Sequence, residues 1–299
     1  MNRRIEAVLL LDCRNTLAEG IQWHPGHGRL YWTDILGRTL WSCDAEGGSV
    51  ETRGFDKRIG SFAFCTDDRI LLALEDELAL FDPETGSLKT LAPVEADEPR
   101  TRMNDGRVDR AGRFVFGGVD EHGLKPYSAV YQFNGVRALR LFDGVGCANS
   151  IAFSPDGARM YFADTAGKTI ERISYETDGV LGARWTFAKL AADEGGPDGS
   201  CVDAEGALWN AQFGGARVQR FLPDGSRDIR VDLPVSQVTC ACFGGPALDR
   251  LYITTARENF TDAQAAAEPT AGGIFVAEVG AAFGVTGLPE EKYTGSIAD

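Results

Sequence analysis

Apolar residues along the chain fall in short runs rich in Tyr, Trp, Phe, Val and Ile, each introduced by a Gly or Asp turn. The 3.6-residue spacing of an amphipathic helix is hard to find, so strand is the dominant expected state. Six runs align: GRLYWTDI from Gly28, DRILLALED from Asp68, GRFVFGG from Gly112, GARMYFADT from Gly157, GALWNAQF from Gly206 and DRLYITTA from Asp249. Leu30, Ile70, Phe114, Met160, Leu208 and Leu251 take equivalent places in them, at spacings of 40, 44, 46, 48 and 43 residues. One four-stranded propeller blade consumes a period of that length. Hairpin turns such as PETG at Pro83, SPDG at Ser154, DAEG at Asp203 and LPDG at Leu222 recur at strand spacing.

Small antiparallel sheets cannot bury both faces alone, whereas six of them closed into a ring cover one another. The pattern therefore predicts an all-β fold, a six-bladed β-propeller with four-stranded antiparallel blades, as a single domain over residues 1–299. The apolar segment Ile5 to Leu11 precedes the first repeat and is placed to add a strand to the last blade and latch the ring. Residues Arg257 to Gly273 depart from strand composition and read as an excursion between strands with a short helical turn. A pair of β-sandwiches is the rival that the turn pattern alone would allow.

Of 299 residues, 43% are apolar and 25% charged, which is ordinary for a globular chain. The formal net charge of −14 argues against nucleic acid and anionic membrane surfaces as partners. Seven cysteines with no C-x-x-C pair read as buried small hydrophobes in a reducing, cytoplasmic setting, not as disulfides or a thiolate zinc site. The uninterrupted apolar stretch Ala7 to Leu11 stops at Asp12, too short for a signal-peptide core, and no run approaches the length of a membrane span.

The chain has no G-x-S-x-G elbow, P-loop, H-E-x-x-H or complete EF-hand loop. With only His24, His27 and His122, a histidine-rich metal cage is excluded, and HPGHG reads as a solvated turn. The tryptophans Trp23, Trp32, Trp41, Trp185 and Trp209 read as packing between blades. What stands apart is a set of polar residues just where strand runs begin: Glu19-Gly20, the segment Arg102 to Gly106, Asn149-Ser150 and Pro197-Asp198-Gly199. The innermost strand of each blade lines a propeller's channel, so polar residues at this phase of different repeats can converge on the axis. Oxygen donors from Glu19, Asn149 and Asp198 suit a divalent cation and leave positions open for water or substrate. Taken singly, each of these residues reads as an ordinary turn residue; their shared phase in different repeats is what favours a site.

The segments AEGIQWHPGHGRLYWTDI, RMNDGRVDRAGRFVFGG, NSIAFSPDGARMYFADT and GPDGSCVDAEGALWNAQFGG, in this order, resemble the SMP-30/gluconolactonase family of six-bladed propeller lactonases. The resemblance implies one divalent metal in the central channel on Glu19, Asn149 and Asp198. It also implies substrate-binding roles for Arg102, Asn104 and the acidic residue of GGVDEHG, which falls on Glu121, with Asp120 as competitor. Ile21, Ser150 and the pair Gly118-Val119 depart from the family's usual proline, glycine and Thr-Met; none removes a ligand oxygen.

The expected reaction is hydrolysis of a sugar aldonolactone, a pentono- or hexono-lactone, to the free acid. Asp198 would serve as ligand and general base, and the ion could be calcium, zinc, iron, manganese or magnesium. The alternatives are a metal-dependent esterase or phosphotriesterase of the same architecture and a non-catalytic interaction scaffold.

Overall fold

The computed structural model describes residues 3–297; Met1, Asn2, Ala298 and Asp299 lie outside that range. Six antiparallel sheets follow one another along the chain as the blades of a β-propeller. Their innermost strands are Ala18–His24, Ile59–Phe64, Thr101–Val108, Ala148–Phe153, Gly196–Val202 and Val238–Gly244. The aligned runs are the second strands, and each marker residue pairs with a residue near the end of the inner strand. The pairs are Leu30 with Trp23, Ile70 with Phe64, Phe114 with Val108, Met160 with Phe153, Leu208 with Val202 and Leu251 with Phe243. All six markers are buried, each contributing roughly 1.5–3 kcal/mol of hydrophobic burial, and the quasi-period is thus set by the core.

The N-terminal segment divides at Ala7. Val8–Leu11 pairs antiparallel with Ile274–Ala277 and completes the last blade, as expected. Arg3–Glu6 instead runs parallel to Arg227–Asp232 as a fifth strand of blade 5, so Ile5 serves a different blade from Leu11. The excursion expected after Arg257 holds a helix, Asp262–Ala267, closed by a reciprocal Thr261–Gln264 cap. After Phe283 the chain crosses the far end of the channel. Gly287 bridges to Asp203, Tyr293 bridges to Cys65, and Glu290 reaches the buried Arg107 at 2.7 Å.

Two sequence expectations are corrected. Trp185 lies on the outermost strand of blade 4, Leu181–Lys189, and is 48% exposed beside Arg172, in a stretch of that edge strand that is exposed on both faces. His24 is no solvated turn residue; it ends the first inner strand, is 1% exposed and stacks on His27 with ring centroids 3.7 Å apart. Its Nδ1 accepts the His27 N–H, so the neutral ring carries its proton on Nε2, which has no hydrogen-bond partner and lies 3.8 Å from Asp68.

Candidate active site at the mouth of the channel

Every inner strand carries a register shift against its neighbour near its start, and the polar residues singled out in the sequence sit at four of these bulges. The shifts fall between Glu19 and Gln22, Met103 and Gly106, Asn149 and Ala152, and Pro197 and Ser200. A bulge leaves one residue out of the ladder and re-aims its side chain. Here the re-aimed side chains meet at the channel mouth. The residue after Glu19 is Gly20 at φ 61°, and the matching residue in blade 4 is Ser150 at φ 59°. Serine tolerates this left-handed conformation because its Oγ donates to the Asp198 carbonyl at 2.7 Å and accepts from Asn210 at 3.0 Å.

A cavity of about 290 Å³ opens there, lined by Glu19, Arg102, Asn104, Glu121, Asn149 and Asp198, with Leu17, Val119, Leu124 and Phe213 supplying apolar wall. All six residues expected from the sequence are therefore brought together. Asp120 is not among them: it is fully buried and spends its carboxylate on Arg100 and on the backbone N–H groups of His122 and Lys125. Strand alternation at the end of Phe114–Asp120 gives the cavity to Glu121. A larger groove of about 830 Å³ lies outside blade 3, but its Glu95 is occupied by Ser128, Ala129 N–H and Tyr131, and no set of polar groups converges in it.

Three acids share this part of the channel, each followed by a glycine whose N–H donates back to it: Gly20 to Glu19 at 2.9 Å, Gly106 to Asp105 at 2.8 Å and Gly199 to Asp198 at 3.1 Å. Asp105 also accepts Ile151 N–H at 2.8 Å, so both its oxygens are used by backbone. Glu19 and Asp198 each keep an oxygen without a backbone donor, and the two carboxyls face one another. Burial, reinforced by Asp105, pushes Glu19 up to about 7. Burial, then the facing Glu19 and Asp105, holds Asp198 well above the usual carboxylate range.

Asn149 is oriented by its neighbours. Its Nδ2 donates to Thr165 Oγ1 at 2.7 Å, and Thr165 in turn donates to the Pro197 carbonyl at 3.0 Å, which leaves Asn149 Oδ1 as the acceptor facing Asn104. Asn104 Nδ2 donates to Ala148 O at 3.0 Å, and its Oδ1 accepts Arg102 Nη1 at 2.8 Å. Arg102 Nε reaches Glu121 at 3.2 Å, and the same Glu121 oxygen takes Arg58 Nη1 at 2.6 Å. Arg58 is held from behind by Glu75 at 2.8 Å.

Sequence reasoning missed Asp105 as a channel acid, Thr165, the Arg58–Glu75 pair and Glu258 on the cavity rim. Asp105-Gly106 shares the acid-glycine signature of Glu19-Gly20 and Asp198-Gly199, which could have found it. The others follow the ends of second strands or precede an inner strand, where the sequence carries no distinguishing signal.

The donor set fits a hard divalent cation: two buried carboxyls that face one another, and one amide oxygen with its orientation fixed. Among the described residues no helix is long and apolar enough to cross a membrane.

A family model described as the SMP-30/Gluconolactonase/LRE-like region matches residues 17–257. An L-arabinolactonase of Azospirillum brasilense is 43% identical, the match covering 91% of this chain and 92% of the relative. A 6-deoxy-6-sulfogluconolactonase of Pseudomonas putida is 33% identical over 99% of this chain and 100% of its own. The crystal structure of a calcium-binding protein, regucalcin, from Agrobacterium tumefaciens superposes with a TM-score of 0.92 at 31% identity, covering 98% of this chain and 99% of the other. With its propeller, its converging bulges and these relatives, the chain belongs to the SMP-30/gluconolactonase/LRE-like family.

Proposed function

We propose that the protein is a metal-dependent sugar lactonase that hydrolyses an aldonolactone to the free aldonic acid. The observation that carries this reading is the buried pair of Glu19 and Asp198 beside Asn149 at the base of a cavity whose polar side holds Arg102, Asn104 and Glu121. A scaffold has no use for two facing buried acids, which repel unless a proton or a cation lies between them. The relatives named above as lactonases support the same reaction.

Glu19, Asn149 and Asp198 would hold one divalent ion, and that ion supplies polarisation of the lactone carbonyl and charge to offset the developing oxyanion. An all-oxygen donor set accepts calcium, magnesium, manganese, iron or zinc, so occupancy follows availability. Asp198 takes a proton from the attacking water as the new C–O bond forms. The ring C–O bond then breaks, and the same group returns the proton to the leaving ring oxygen. Arg102, Asn104 and Glu121 offer both donors and acceptors to sugar hydroxyls, while Leu17, Val119, Leu124 and Phe213 face the C–H surface of the ring. The neutral pentono- and hexono-lactones, including that of L-arabinonic acid, are the substrates to test first.

Proton release in weak buffer is measured on a panel of these lactones, before and after chelation and with each metal restored singly. Metal-dependent release above the spontaneous rate is expected. No release on any lactone with any metal would overturn the lactonase reading.

A further inference from the structure

The cavity's cations are already matched by carboxylates. Among the described residues that line it, Arg102 alone is cationic. Arg102 and Arg58 meet on one oxygen of Glu121, and Glu75 takes the other edge of Arg58, so two guanidinium groups and two carboxylates alternate and cancel. Behind the cavity Asp105 is opposed by Arg107, whose other partner is Glu290. The unmatched lining groups are Glu19, Asp198 and Glu258. A divalent cation offsets the first two and leaves Glu258.

Glu258 follows the second strand of blade 6, Arg250–Thr255, at the mouth. Its backbone is pinned to the Gln237 side chain by two hydrogen bonds of 2.8 and 3.0 Å, and its carboxylate has no ion-pair partner among the described residues. A lactone whose carbonyl lies beside Glu19 and Asp198 shares its cavity with Glu258.

Resting on the lactonase reading, we infer that the protein is selective for neutral lactones and rejects those with an anionic substituent at the far end, with Glu258 as the rim residue that sets this preference. Among the described residues that line the cavity no cation is spare to receive a sulfonate or phosphate, and Glu258 adds negative charge to the same cavity. The effect is electrostatic and partly exposed to solvent, so it weakens with salt.

The test compares kcat/KM of the metal-reconstituted enzyme on D-gluconolactone and on its 6-deoxy-6-sulfo counterpart, at about 0.02 M and about 0.5 M salt. The Pseudomonas putida relative is the positive control for the sulfonated probe. The neutral lactone is expected to be preferred tenfold or more at low salt. High salt and Glu258→Gln are each expected to narrow the ratio about threefold, through a rise in the sulfonated substrate's kcat/KM. Equal kcat/KM for the two probes, or a ratio that neither salt nor Glu258→Gln moves, overturns the charge rule and leaves the lactonase reading standing. Turnover of neither probe with any metal overturns both.

Discussion

The acid-glycine steps show how single residues trade stability for chemistry. Each glycine N–H supports the carboxyl before it, yet Glu19 and Asp198 still face one another, buried, with Asp105 close behind. Asp198→Asn removes one member of that pair and keeps the shape. It is expected to abolish metal-dependent turnover, by a factor on the order of a thousand or more, while stabilising the metal-free protein by about 1–2 kcal/mol at neutral pH. Kinetics on the best lactone and urea melts in chelator check the two halves together; near-normal kcat in this variant would remove Asp198 from the reaction. At this scale the polar residues that converge on the cavity were legible because Glu19, Asn149 and Asp198 recur at one phase of different repeats. Asp105 was not, because Asp-Gly is also an ordinary turn dipeptide and only burial tells the two uses apart.

Strands position chemistry at one end and stability at the other. The start of the first inner strand presents Glu19 to the mouth, and its last residue, His24, is sealed against His27 and Phe64 at the opposite end. Burial, helped by the charges of His27 and Lys292, lowers His24 from 6.5 to about 4. A folded-state value below the unfolded one means stability that is complete above pH 6.5 and is lost as pH falls towards 4. The loss is about 3 kcal/mol for a fully buried ring. Glu19 and Asp198, raised by burial, act in the opposite sense over this range. The test is therefore the difference in urea stability between wild type and His24→Gln, which should shrink by that amount from pH 7 to 4; an unchanged difference would assign the loss elsewhere. The second strands were legible as a period because each buries its marker residue against the inner strand. The bulges were not, since a register shift depends on the partner strand and leaves no mark in one strand's own alternation. Trp185 failed for a related reason: an aromatic residue is equally at home on a buried face and on the outer strand of a blade.

For the whole molecule, the sequence showed the ring through its six units and showed the latch through an apolar segment with no repeat of its own. It did not show the division of that segment at Ala7 or the strap that carries Glu290 to Arg107, both of which depend on contacts between the ends of the chain and distant blades. Deleting residues 1–11 leaves Ile274–Ala277 as a bare edge and removes the fifth strand from blade 5. The melting temperature should fall by about 5–10 °C, with a matching gain in self-association from the exposed edge. An unchanged melt would show that the ring closes without its latch.

The last blade joins Val8–Leu11, which precedes the other five blades along the chain, to Val238–Gly244, Arg250–Thr255 and Ile274–Ala277, which follow them. During synthesis the early strand must therefore stay unpaired, or find a temporary partner, while five blades form behind it. Its unpaired hydrogen-bonding edges are then a hazard of biosynthesis that is covered once Ile274–Ala277 pairs with it.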